Sequence, residues 1–549
     1  MKLVIKSTFL IFNIIICQNT LGLIINSSSS YSGFTLFAPN HSTNTYLINN
    51  QGLLVNEWSS SYVPGLAVYL LENGNLLRSA AIESDNTTQT GGFELFTWDN
   101  ILIWQYYQGS QHHDIEPLPN GNVLMIVNDV KNYSAAISAG RDPEKLLSNS
   151  LRSLSILEIS QIGIDSGEIV WEWHAWDHLI QDFDETKLNY GSVDLHPELI
   201  DVNFAPNIYS DWLHTNSIDY NEDLDQILVS HRNTNEIWVI DHSTTSQEAS
   251  GHTGGISGKG GDILFRWGNP VSYRAGEEQD QRLFGQHDAN WVRDEFNNYQ
   301  NSIMIFNNGI ERPSGSYSTA IEISVPLIEN NCYNILETGV FGPADEVWSY
   351  TSPDTFDFSS PRFGSAQRLQ NGNTLISNSE MGTFFEVDSL NENVWKYINP
   401  VSTDGILFQG DSARNNTVFR CYRYGQNYAG FDSVDTEPLG PIEFYLNINN
   451  DFNYRKRLSF SLNNNYPNPF NPKTWLSYYL PKETYVRLSI YNMQGELVKI
   501  LINDIQPQGL NIIDWDATNS KGNKVGSGIY IYNIRTSDYQ ESKRLVFIK

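Results

Sequence analysis

Ile115-Glu116-Pro117-Leu118-Pro119-Asn120-Gly121-Asn122-Val123-Leu124, shortly downstream of Trp104, reads as a β-hairpin: two apolar runs meeting at an Asn-Gly turn. Asn-Gly between apolar runs is the strongest short hairpin signal, because both residues tolerate the positive φ of a type I′ turn. The unit recurs as Val68-Tyr69-Leu70-Leu71-Glu72-Asn73-Gly74-Asn75-Leu76-Leu77 after Trp58. It recurs again as Ala366-Gln367-Arg368-Leu369-Gln370-Asn371-Gly372-Asn373-Thr374-Leu375 after Trp348. Looser copies follow Trp173 (213–221, then Gln226-Ile227-Leu228-Val229-Ser230), Trp267 (286–294, then Ser302-Ile303-Met304-Ile305-Phe306) and Trp395 (408–415, then Thr417-Val418-Phe419-Arg420). Six repeats of tryptophan strand, loop, apolar strand and turn predict an all-β chain whose main body is a six-bladed β-propeller. The tryptophans lie 46, 69, 94, 81 and 47 residues apart, so blades three and four must carry long insertions. Loops of that length in a compact domain are usually functional.

Composition agrees. Of 549 residues 40% are hydrophobic, 13% aromatic and only 18% charged, with 39 glycines, a balance suited to short strands and tight turns. The net charge of −29 argues against nucleic acid and anionic membrane surfaces as partners. Lys2 and Lys6 precede an apolar run of about nine residues ending at Cys17, too short to span a bilayer and suited to an export signal over residues 1–22. After its removal Cys332 and Cys421 are the only cysteines, and an oxidising compartment leaves their pairing open.

The last hundred residues differ. From residue 453 onward there are 13 Lys and Arg against 7 Asp and Glu, a net of +6, leaving −35 for the rest. Tyr466-Pro467-Asn468-Pro469-Phe470-Asn471-Pro472 cannot be a central strand. Alternating strands over 485–492, 497–502, 511–515, 528–534 and 543–548 follow, predicting a small immunoglobulin-like β-sandwich. The expected division is a signal peptide at 1–22, a propeller over 25–450 and the C-terminal sandwich over 460–549.

The repeat register also gathers a site. Counting back seven residues from the turn position gives His113 from Asn120, His214 from Asn221 and His287 from Asp294. The other copies give Leu66, Gly364 and Phe408. Pseudo-rotational symmetry puts equivalent positions on a ring around the channel, so three imidazoles converge. Arg232, on the strand after the His214 hairpin, returns toward the same mouth. Such a set can hold a metal ion or an oxyanion. Zinc accepts three histidines, but the arginine repels a cation and no carboxylate stands out as a further ligand. A planar guanidinium with imidazole donors suits sulfate, so no metal and no cofactor are expected.

His112-His113-Asp114-Ile115 with Leu118-Pro119-Asn120-Gly121-Asn122, Trp212-Leu213-His214-Thr215-Asn216-Ser217, Ser230-His231-Arg232 and Gln286-His287-Asp288-Ala289 together resemble the bacterial arylsulfate sulfotransferases. These are six-bladed propellers that move a sulfuryl group between phenols without a nucleotide donor. The resemblance covers about residues 40–430. It implies that His287 is the nucleophile that becomes sulfated, that His113, His214 and Arg232 hold the sulfate and its transition state, and that Asn216 and His112 contact substrate. Strand alternation sends His112 to the face opposite His113. Either His113 or His214 would serve as the acid and base for the phenol. The implied partners are a phenolic sulfate donor and a phenol acceptor; self-association stays open. The C-terminal module with its Tyr-Pro-Asn-Pro-Phe-Asn-Pro entry is similar to type IX secretion sorting domains, which implies contact with the export machinery and delivery to the surface or medium. Two other functions fit a secreted propeller: a binding or adhesion module without catalysis, and a metal-dependent lactonase-type hydrolase. The first leaves three histidines at one repeat position unexplained, and the second needs acidic ligands at the channel.

Overall fold

The structure, a computed structural model, describes residues 19–82, 90–204, 210–293, 299–325, 327, 331–336, 339–444, 460–462, 465, 468–480, 482–507, 509–537 and 539–548. The expected signal segment lies almost wholly outside them. Six innermost strands form a closed ring in which each touches the next: Pro64–Leu70, the second half of Leu102–Pro117, Thr215–Asn221, His287–Arg293, Ser365–Arg368 and Val418–Gly425. Each begins an antiparallel blade of four strands, two of which gain a fifth at the outer edge (Gly22–Asn26 on Asn393–Ile398, and Gly440–Pro441 on Leu53–Ser59), so the body is a six-bladed propeller. Leu102–Pro117 is the outer strand of one blade in its first half and the inner strand of the next in its second. The middle strands, such as Gln226–His231 and Glu236–Asp241, are buried along their whole length. They are covered on both faces by neighbouring blades, which accounts for their nearly continuous apolar runs.

All six tryptophans sit on the fourth strand of a blade, counted from the channel. Five donate their indole N–H across to the following blade: Trp58 to the Thr97 carbonyl, Trp104 to Ser166, Trp173 to Gly261, Trp267 to Pro343 and Trp395 to Asn50. Trp348 instead packs under the Arg368 guanidinium at 4.3 Å. A buried indole needs one acceptor and supplies about 200 Å² of apolar surface, worth on the order of 5 kcal/mol. The repeat is therefore legible because one residue type both packs each blade and ties it to the next.

Two expectations are corrected. The Asn-Gly hairpins are not type I′ turns. Gly74, Gly121 and Gly372 have φ of 81°, 87° and 87°, whereas Asn73, Asn120 and Asn371 are not left-handed. Each is a type I turn closed by a left-handed glycine; in the first, Gly74 N–H donates to the Leu71 carbonyl and Leu71 N–H to that of Asn75. The asparagine side chain accepts the N–H two residues on, as Asn120 Oδ1 does from Asn122, so the Asn keeps ordinary backbone. The sixth copy is also misread. Val418–Gly425 is not the second strand of a hairpin through Asn415 but the innermost strand of the closing blade, paired with Gly33–Pro39 from the other end of the chain. Phe408 lies against Phe444 instead. A second closure pairs Gly22–Asn26 with Asn393–Ile398. Cys421 is buried in the closing strand and is not bridged to Cys332.

The C-terminal module is a β-sandwich of a three-stranded sheet, in the order Ser461–Leu462, Thr474–Leu480, Gly509–Trp515, and a four-stranded one, in the order Leu497–Gln506, Thr484–Asn492, Gly528–Arg535, Gln540–Phe547. Tyr478, Leu488, Ile490, Trp515, Tyr532 and Leu545 fill its core. In the proline-punctuated entry, Phe470 runs beside Phe547 and packs on Trp515 and Phe547.

Candidate functional site

The histidines stand at the beginnings of three consecutive inner strands, at the mouth opposite the Asn-Gly hairpins. Each strand has a bulge there: the register shifts between Gln111 and Ile115, between Thr215 and Ser217, and between His287 and Asn290. His113 and His214 adopt left-handed backbone, with φ of 54° and 52°; in the third strand Asp288 does so, with φ of 50°. The third copy is thus one residue out of step with the count, yet the His287 ring still lies close enough to His113 and His214 to interact electrostatically with both. The His113 and His214 centroids are 5.0 Å apart. Phe419 lies 6.2 Å from His113, Phe363 5.5 Å from Phe419, and His287 6.2 Å from Phe363. Two aromatic rings therefore wall the mouth across from the imidazoles. The positive φ at His113 also defeats strand alternation: His112 stays at the mouth, its Nδ1 2.9 Å from that of His113.

Hydrogen bonds define what each ring can do. His287, buried, has Nδ1 2.8 Å from Asn308 Oδ1. The Asn308 amide cannot be reversed, because its Nδ2 donates to the Ser360 and Phe363 carbonyls at 2.5 and 2.7 Å. The oxygen therefore faces His287, Nδ1 carries the proton and Nε2 the lone pair. Burial, opposed by the Asn308 bond and a bond to the Gly285 backbone and reinforced by His214 and Arg232, pulls the His287 pKa down to about 3. Burial, followed by His214, His112, His287 and Arg232, holds His113 well below the usual imidazole range. Both rings are neutral at physiological pH.

His214 is built differently. Its Nδ1 donates to Asp211 Oδ2 at 2.6 Å. Burial works to raise the Asp211 carboxyl, but the bond to His214 and the charges of His214, His112 and Arg152 hold it below its ordinary value. A carboxylate behind an imidazole fixes its tautomer, so His214 holds a proton on Nδ1 and turns Nε2 away from Asp211. Arg232 follows the adjacent strand, its backbone N–H donating to the His214 carbonyl at 3.1 Å, and its charge bears on both His113 and His287. Asn216 is fully buried; its Nδ2 donates to the Gln286 carbonyl at 2.7 Å, while its Oδ1 has no partner among the described atoms. Its amide thus braces the residue preceding His287.

Asp114 and Asp288, each directly after a site histidine, reach across the channel to Arg420 on the closing blade. Tyr69 hydrogen-bonds Asp114 Oδ1 at 3.0 Å, and Tyr422 donates to Asp288 Oδ1 at 2.8 Å. The second oxygens accept backbone N–H groups of the next blades, Ile218 for Asp114 and Ala366 for Asp288, both at 3.1 Å. The buried Asp114–Arg420–Asp288 group plugs the channel beneath the histidines. A cavity of about 520 Å³ opens at the other mouth, lined by Tyr69, Glu116, Asp219 and Tyr422 but by none of the site histidines. Asp211, Asn308, Arg152, Arg420 and the two phenylalanines were not found from the sequence. Asp211 precedes His214 by three residues, and the His-Asp dipeptide recurs at 113–114 and 287–288; Asn308 and Arg420 reach the site through pairings that no spacing reveals.

The neutrality of His287 has a stability consequence. An unfolded His287 titrates near 6.5, a folded one near 3, so between those values the unfolded state binds the extra proton. Stability should fall on acidification across that window by about 1.4 kcal/mol per pH unit for this group. Denaturant titrations of wild type and His287→Gln from pH 7 to 4 check this; equal slopes would contradict it.

The family profile described as Arylsulfotransferase (ASST) matches residues 104–423, and that of the secretion system C-terminal sorting domain matches residues 464–549. The chain belongs to the arylsulfotransferase family, and its chemistry is that of a sulfotransferase. The sorting domain marks it for export by type IX secretion to the cell surface or beyond. Among the described residues no helix is long and apolar enough to cross a membrane. No curated protein matches the chain. Solved structures similar to it include a protein of unknown function from Bacteroides caccae, 12% identical over 72% of this chain and 99% of that one, with a TM-score of 0.38. Virginiamycin B lyase from Staphylococcus aureus is 10% identical over 70% and 91%, with a TM-score of 0.32. PorZ, a surface component of the type IX secretion system of Porphyromonas gingivalis, is 11% identical over 93% and 50%, with a TM-score of 0.29.

Proposed function

We propose that this protein transfers a sulfuryl group from a phenolic sulfate ester to a phenol acceptor through a sulfated His287. The observation that carries the proposal is the Asn308 amide, whose locked orientation leaves the lone pair of a neutral His287 on Nε2. In the first half-reaction Nε2 attacks sulfur, the N–S bond forms and the S–O(aryl) bond breaks. The departing phenolate takes a proton from His214, which Asp211 stabilises in its charged form. In the second, an acceptor phenol returns its proton to His214 and attacks sulfur, and the S–N bond breaks. Nδ1 keeps its proton throughout, since an amide oxygen cannot take it. The sulfated ring is therefore cationic and a good leaving group, and the two half-reactions are chemically alike.

Arg232, Arg152 and the donors His112 and His113 would hold the sulfuryl oxygens, with Asn216 bracing the nucleophile's strand. Phe363 and Phe419 offer flat apolar surface to the aryl ring. The chain is taken to comprise a leader over 1–22, the catalytic propeller over 25–450 and the sorting module over 460–549. Export machinery is the second partner.

The test is release of phenol from an aryl sulfate by the pure protein. Release should depend on added phenol acceptor and not on a nucleotide sulfate. Arg232→Lys should lower the rate about 30- to 1000-fold, since a point charge does not replace a planar fork and a lost transition-state contact costs roughly 2–4 kcal/mol. Release that ignores the acceptor would mean hydrolysis instead.

A further inference from the structure

A second cluster of imidazoles lies on the rim, on outer rather than inner elements. His178 ends the 3₁₀ turn Ala175–His178, directly after the tryptophan-bearing strand of the third blade. His252 and Asp262 belong to the glycine-rich loop that joins Glu236–Asp241 to Phe265–Trp267 in the fourth. His178 Nδ1 lies 2.8 Å from Asp262 Oδ1, and His252 Nδ1 lies 2.7 Å from the same oxygen. All three ligand atoms fall within 4.8 Å of one another.

Proton accounting makes the arrangement unusual. His178 is fully buried, and its Nε2 is 2.8 Å from the Ala249 carbonyl, which can only accept. Nε2 therefore carries a proton, and a neutral His178 turns the lone pair of Nδ1 toward a carboxylate oxygen. Either a second proton or a cation must lie between them. An imidazole whose far N–H is fixed by a backbone carbonyl, with its near nitrogen converging on a carboxylate and a second imidazole, is the usual setting of a metal-bound histidine. The surroundings are rigid: His178 stacks on Trp173, at 5.5 Å between centroids and 4° between planes, and the Trp173 indole donates to the Gly261 carbonyl beside Asp262. His252 is 59% exposed on its side chain, which leaves an entry path and an open coordination position.

We propose that His178 Nδ1, His252 Nδ1 and Asp262 Oδ1 form a site for a first-row divalent cation of the zinc type, completed by water. Binding would replace the protons on both Nδ1 atoms and tighten with rising pH. It would staple the fourth-blade loop to the insertion that runs from His178 to Asp211 and His214. No metal is expected from the sequence, and this site lies outside the channel on which that expectation rests.

The experiment is calorimetric titration of zinc chloride into the full-length, metal-stripped protein at pH 7.5, with thermal melts alongside. Wild type should bind one equivalent and melt higher with zinc. His252→Ala, an exposed change that leaves the metal-free melt where it was, should lose affinity about tenfold or more. His287→Ala should bind as wild type does, which distinguishes the rim from the channel histidines. No binding by wild type, unchanged affinity in His252→Ala, or loss of binding in His287→Ala would each overturn the proposal, the first leaving a protonated His178–Asp262 pair.

Discussion

His287→Ala should abolish sulfuryl transfer, lowering turnover on the order of 10⁴- to 10⁶-fold, with the fold and the melting temperature little changed. The magnitude is that of removing a nucleophile rather than a positioning group. Electrostatic stabilisation by Arg232 and its neighbours survives the change, but a phenol hydroxyl must then attack an anionic sulfate ester with no covalent relay. Side-chain truncation at this site also removes a ring that sits 2.8 Å from Asn308 Oδ1, so the variant should be checked by its melt before its rate is read. His214→Ala should behave differently: it loses the proton donor, and donors with poor phenolate leaving groups should suffer far more than good ones. A His287→Ala enzyme retaining a tenth of wild-type turnover would remove the covalent step from the mechanism.

The largest effect on stability is expected at Arg420, which no spacing argument singled out. Arg420, Asp114 and Asp288 are each at most 2% exposed, and one guanidinium serves both carboxylates. Arg420→Met keeps the bulk but strands two buried acids, at a cost of about 3–5 kcal/mol. Burial already pushes both carboxyls up, and Arg420 is the main influence holding them down. Without it, the folded state binds protons that the unfolded state, titrating near 3.8, has released, so the deficit should deepen as pH rises above that value. Chemical denaturation of Arg420→Met at pH 5 and pH 8 measures this. Adding Asp114→Asn and Asp288→Asn should restore much of the loss, because the penalty belongs to the uncompensated charges. A neutral Arg420→Met, or a deficit independent of pH, would mean that the plug carries no net charge to compensate.

What the sequence disclosed followed from residues whose chemistry is local. A tryptophan in each of the six copies and a left-handed glycine in three of the inner hairpins recur because the blades must solve the same packing and turning problems. The histidine register brings His113, His214 and His287 to the starts of three consecutive inner strands for the same reason, with a bulge absorbing the one-residue slip in the third. It failed for His112, where left-handed backbone at His113 cancels alternation. Features made by closure were hidden. Gly33–Pro39 meets Val418–Gly425 across almost the whole propeller, so the sixth repeat has no local hairpin to find. Arg420 meets Asp114 for the same reason. Asp211 was within reach of inspection, since an acid three residues before His214 is a local pairing, whereas the role of Asn308 depends on which way a carboxamide faces.

The central claim is that sulfur passes through a covalent bond to His287 Nε2, and peptide mapping by mass spectrometry tests it most directly. The enzyme is mixed with an aryl sulfate in the absence of acceptor, quenched under alkaline conditions that preserve N–S bonds, and digested. The account predicts one added SO₃ group on the peptide bearing His287, lost when a phenol is supplied before the quench and absent from His287→Ala. Transfer proceeding at full rate with no sulfated peptide, or with the group on any other side chain, would contradict it.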